Sequence, residues 1–202
     1  HITDAQFGLL TSVFLWSYGI LSPFGGFLAD RYRREYVIIG SLLIWSVVTW
    51  LTGYSQTFGQ LIMTRVLMGV SEAFYMPAAL ALIVDYHPGR TQSTAVGIHL
   101  TGTTVGQSLG FLGGMLAERM SWGYAFRYFG VIGILYSFVV VFLLKRPDEI
   151  AGNREEKRVE RIHFFDAMKA LFAKRAFGYL LLFWCMLGVV GWLVVGWLPT
   201  YY

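Results

Sequence analysis

An arginine and a glutamate, Arg65 and Glu72, stand seven residues apart in a mainly apolar stretch, 60–85, that is long enough to cross a bilayer. At about 1.5 Å of rise per residue they lie ~10 Å apart along a helix, and a spacing of seven returns to nearly the same face. Ionisable side chains are costly in hydrocarbon, so they normally face a bundle interior or a watery cavity and mark a path for substrate or protons. The pattern reads as an ion pair on one stripe. A guanidinium holds carboxylate or phosphate in a two-pronged fork and does not deprotonate, which makes Arg65 a candidate anion anchor. The other reading is a structural arginine, about 8 Å into the span, reaching interfacial water by snorkelling. Glu72 falls near the midplane, where transporter sites form, and is the candidate proton carrier. A permanently ionised structural bridge is its alternative.

Other residues carry polar chemistry at helical spacing. Asp30 and Arg34 stand four apart, and Asp85 ends the Arg65 segment on the same side of the membrane, so the three are expected to form one charge cluster. Tyr18, Tyr75 and Gln107 are candidate substrate contacts, Gln107 sharing a face with His99 and Thr103; packing is the plainer reading for each. Gly102, Gly106 and Gly110 follow at four-residue steps, suited to close approach of membrane helices. No glycine-rich phosphate loop follows a strand, the four histidines show no metal-ligand spacing with cysteine, and no cofactor is expected. Cys185 is the only cysteine, so no intrachain disulfide is expected.

These residues need elements to hold them. The 202-residue chain is 56% hydrophobic and only 14% charged, which excludes an ordinary soluble domain. Six apolar segments approach bilayer length, roughly 7–29, 36–54, 60–84, 93–117, 124–144 and 177–201. They are expected to be helices, because backbone groups in lipid must be satisfied within the segment. Thirteen of the sixteen Lys and Arg residues sit on one alternating set of connections, which places those connections in the cytoplasm. The +4 net charge therefore speaks for topology and not for nucleic acid. Gly25-Gly26-Phe27-Leu28-Ala29-Asp30-Arg31 is echoed by Gly113-Gly114-Met115-Leu116-Ala117-Glu118-Arg119, three spans later and on the opposite side, as in an inverted repeat. The first and second visible spans then match the fourth and fifth, and a helix is expected to precede His1. Residues 146–175 read as a cytoplasmic linker in which Phe164, Phe165, Met168, Leu171 and Phe172 make one apolar stripe. The last span closes on aromatic residues beside a helix-breaking Pro199.

The run Gly26-Phe27-Leu28-Ala29-Asp30-Arg31-Tyr32-Arg33-Arg34-Glu35 resembles the signature loop of the major facilitator superfamily of secondary transporters. It departs from that signature at Arg33, where a glycine is usual, and at Glu35, where a basic residue is usual. Arg65, Gly69, Glu72 and Ala73, followed by Pro77 and Ala78, resemble the superfamily's organic anion:cation symporters; the same arginine and the Glu72-Ala73 pair also resemble its spinster-like lysolipid transporters. The resemblance implies an all-α polytopic membrane protein of the major facilitator fold, with about six helices that stand for spans two to seven of an expected twelve. Residues 1–145 would be the N-terminal half without its first helix, and residues 176–202 the first helix of the C-terminal half. It further implies a monomer in the inner or plasma membrane that moves a small organic anion by alternating access, drawing on a proton or other cation gradient. In that family the Asp30, Arg34 and Asp85 cluster would latch one conformation. A lysolipid carrier and a transporter-like anion sensor are the competing readings.

Overall fold

A computed structural model describes residues 3–144 and 163–201, and every regular element among them is helical. α1 (Asp4–Arg31) opens with a capping box in which the Gln6 amide donates to the Thr3 hydroxyl and the Thr3 amide to the Gln6 side chain. Thr57 and Gln60 repeat the device at the start of α3 (Phe58–Tyr86). α2 (Arg34–Thr52) follows α1 after two residues, and α6 (Trp122–Leu143) is the most apolar of the four. Each of these helices is long and apolar enough to cross a membrane; even α2, with 19 residues, reaches about 28 Å. The chain is a multi-pass membrane protein.

The expected fourth span, 93–117, is divided. A short 3-10 turn (Gly89–Thr91) leads into α4 (Gln92–Ser108), and α5 (Phe111–Arg119) begins only after Leu109 and Gly110. At the break the Gly110 amide donates to the Gln107 carbonyl and the Leu112 amide to that of Leu109, three residues back instead of four. The local cause is composition: each glycine costs a helix up to ~1 kcal/mol relative to alanine, and Gly102, Gly106, Gly110, Gly113 and Gly114 crowd this stretch.

Those glycines were expected to seat a neighbouring helix, and among the described residues they do not. A methyl group placed on Gly97, Gly102, Gly106 or Gly114 would meet nothing, and one on Gly113 would only touch the Phe129 ring. Close approach happens at other glycines, outside the four-residue series. Gly25 and Gly69 bring α1 and α3 together, at Ala73 and at Phe14 to Tyr18 respectively. Gly123, Gly130 and Gly133 of α6 lie against Gly53, Trp50 and Ser46 along the length of α2. α3 thus packs along α1 and along α2, and α2 also along α6. Small residues let these backbones approach where water-driven burial is absent. Ala29, Ile38, Ala78, Ala79 and Leu82 form the best-buried cluster, at the end where α1 stops and α2 starts.

Residues from 163 onward form a second compact unit. α7 (Phe164–Phe172) and α8 (Arg175–Tyr201) meet at 89°. α8 continues through Pro199 where a break was expected; a transmembrane helix can absorb a proline, as α1 does at Pro23 and α3 at Pro77. The charged linker stretch 145–161, and Tyr202 of the aromatic ending, lie outside the described residues.

Candidate functional site

The Arg65 and Glu72 side chains do not form the ion pair that the shared stripe suggested. Seven residues are two turns, ~10 Å of rise, which only two fully extended side chains aimed at each other could close; partners three or four apart meet more readily. Arg65 instead lies over the ring of Phe126 in α6, 5.5 Å from its centre, with one guanidinium nitrogen 3.7 Å from the Met68 sulfur. Half-buried, it has no carboxylate within salt-bridge distance among the described residues. Phe126 also walls an apolar pocket of about 610 Å³, with Thr49 of α2, Gly106 and Gly110 at the α4–α5 break, and Trp122 and Phe129 of α6.

Glu72 is likewise half-buried, and among the described residues it has no hydrogen-bond or ion-pair partner. The tight contact of Gly69 with the Phe14–Tyr18 backbone sets it opposite α1, where Tyr18 lies within electrostatic reach. Tyr75 sits one turn further on, among aromatic rings: Trp45 at 6.5 Å and His99 of α4 at 6.4 Å, with Tyr136 of α6 also near. The His99 Nε2 is buried and has no hydrogen-bond partner among the described residues. Gln107 is exposed on α4, two turns beyond His99, and nothing brings it to Arg65 or Glu72. Of the candidate contacts, therefore, Tyr18 and Glu72 are neighbours, Tyr75 belongs to an aromatic cluster, and Gln107 stands apart.

Asp30, Arg34 and Asp85 converge. The Arg34 guanidinium pairs with Asp85, and its second amino group lies 3.4 Å from Asp30. It also donates to two main-chain carbonyls, Ala29 near the end of α1 at 3.3 Å and Ala81 in the last turns of α3 at 3.2 Å. Those carbonyl contacts leave no mark in the residue pattern. A cation there satisfies carbonyls and opposes the negative ends of two helix dipoles, so Arg34 fastens α1 and α3 by four acceptors at once. The two departures from the signature loop also meet, Arg33 lying 3.9 Å from a buried Glu35 and stacking on Tyr36.

One residue went unnoticed in the sequence. Arg127 lies inside α6 with its guanidinium 4.1 Å from the Tyr124 ring centre and 5.0 Å from that of Tyr54, and it donates to the Gly123 carbonyl. The available signal was the pair of tyrosines flanking it across the α2–α6 contact.

The family model of the Major Facilitator Superfamily matches residues 1–202. The chain is 31% identical over 182 residues to Protein spinster homolog 1 of Xenopus tropicalis, covering 88% of this chain and 35% of that protein. It is 36% identical over 148 residues to the Homo sapiens Protein spinster homolog 1, covering 70% and 28%. A solved bacterial homolog of the human lysosomal transporter Spinster, inward-facing and unoccupied, superposes with a TM-score of 0.73 at 26% identity over 98% of this chain and 48% of that one. The chain thus spans about a third of the length of the curated relatives it matches.

Proposed function

The chain belongs to the Major Facilitator Superfamily, and from that premise we propose that it is part of a spinster-like secondary transporter that carries an anionic lysolipid across the membrane by alternating access, coupled to protons. The carrying observation is Arg65: a half-buried guanidinium inside a membrane helix, stacked on Phe126 and without an acidic partner among the described residues. A buried charge without a counter-charge is costly, and a phosphate or carboxylate headgroup supplies one. The apolar pocket on the Phe126 side suits a hydrocarbon tail beside that headgroup. A small organic anion would use the same arginine; the pocket and the similarity to spinster proteins favour the amphiphile.

Coupling follows from charge balance. Arg65 and Glu72 together are neutral, an anion adds one negative charge, and a proton on Glu72 restores neutrality before the site crosses a low-dielectric gate. Because the two side chains do not touch, this coupling acts through the field between them and not by breaking a bond.

Uptake of a labelled lysophospholipid into proteoliposomes holding the full-length protein tests the reading. Uptake should fall at least ten-fold in Arg65→Gln and be retained in part by Arg65→Lys. Uptake of a short dicarboxylate in place of the lysolipid would select the small-anion reading, and binding without accumulation would select a sensor.

A further inference from the structure

α7 is nine residues long, and its Phe164, Phe165, Met168, Leu171 and Phe172 fall within about a third of the helical circumference. Phe165 is 81% exposed and Phe172 60%, so this stripe is not absorbed by packing among the described residues. The opposite side carries Asp166 and Lys169, and Lys174 and Arg175 follow at the bend, all four exposed. α7 meets α8 at 89°, and α8, with 27 residues, is long enough to cross the bilayer without α7. The corner is closed by a ring contact: Phe172 and Phe177 stand edge to face at 5.4 Å, while the Lys174 amide bonds Leu171 and the Phe177 amide bonds Lys174. A helix held at right angles to a membrane-crossing helix runs in the membrane plane.

We propose that α7 lies in the headgroup layer of the bilayer that α8 crosses, its phenylalanine stripe sunk toward the acyl chains and Lys169, Lys174 and Arg175 on anionic phospholipid headgroups. Three features select that occupant over a second protein. The right angle fixes the plane, the stripe faces one way, and three cations against one acid ring the corner at headgroup depth. The aromatic corner passes the anchoring on to α8: lipid that holds α7 also sets the depth of the first turn of α8, so the fraction of anionic lipid should tune transport. This surface is independent of the Arg65 site.

The test uses the full-length protein in nanodiscs with 0 or about 30% phosphatidylglycerol. Spin labels at Phe165→Cys and Asp166→Cys are read for collision with oxygen and with a water-soluble nickel chelate. The 165 label should favour oxygen and the 166 label nickel, and the contrast should sharpen with anionic lipid. A 165 label shielded from both reagents places the stripe against protein, and one open to nickel places it in water; either overturns the proposal. In liposomes, anionic lipid should raise transport, and Lys169→Gln with Lys174→Gln should remove that rise, about five-fold per lysine, while leaving the rate in neutral lipid unchanged. An unchanged response to anionic lipid also overturns it, and so does an equal loss of transport in neutral lipid, which would make the two lysines structural and not headgroup contacts.

Discussion

Gly25 of α1 lies against the main-chain carbonyl of Ala73 in α3. That carbonyl stands four residues before Pro77, which has no N–H to offer it. The proline thus frees an acceptor at the level of Glu72, and the missing side chain at Gly25 is what lets α1 cover it, a place where Cα–H groups can serve as weak donors. Gly25→Ala should lower the stability of the purified protein by about 1–3 kcal/mol, because the added methyl overlaps backbone that cannot move aside. Gly26→Ala, whose methyl would only touch the Pro77 ring, should be neutral or slightly stabilising. Thermal unfolding followed by tryptophan fluorescence compares the two, and equal behaviour would refute the contact.

Arg34 holds two acids and two carbonyls on α1 and α3, so it is placed to latch one conformation. The cluster is partly solvated, which keeps its worth near ~1 kcal/mol. Arg34→Ala should therefore move the inward-to-outward ratio about five-fold, read by distance measurements between labelled helices, with substrate preference unchanged. Altered preference with an unmoved ratio would count against a latch.

Glu72 tests the coupling. Glu72→Gln keeps the shape of the site and removes its titration, so uptake driven by a pH gradient should disappear while exchange of labelled for unlabelled substrate continues. Driven uptake that survives the change rules out Glu72 as the proton carrier.

His99 offers a prediction of opposite sign. Its Nε2 is buried without a hydrogen-bond partner among the described residues, and a buried polar atom left unsatisfied is a standing cost. His99→Leu should be neutral or stabilising by about 1 kcal/mol in the same unfolding assay. A loss of more than that would show that a group beyond the described residues completes the hydrogen bond.

The sequence carried the fold and one charge cluster, and misread two features for physical reasons. Asp30 and Arg34 are one turn apart, and Asp85 ends a helix at the same level, so hydrophobic segmentation alone brings them together. Arg65 and Glu72 show the limit of a helical wheel, which records angle and ignores rise. The glycines show another limit. Periodicity finds a small-residue face such as Gly102 to Gly110, yet only the neighbour decides whether it is used, and Gly25, Gly69 and Gly130 are used without any four-residue periodicity to mark them.

The break between α4 and α5 restricts what can lie beside it. Because the Gly110 and Leu112 amides bond three residues back, the Gly106 and Ser108 carbonyls lose their i+4 donors in mid-span. Acyl chains have no donor to give them, and each such group costs several kcal/mol against hydrocarbon. Bilayer lipid is therefore kept from these two carbonyls, which must turn toward protein or water; that requirement fixes the rotation of the whole fourth span about the membrane normal and leaves a tail in the neighbouring pocket to lie on its Phe126 and Phe129 wall.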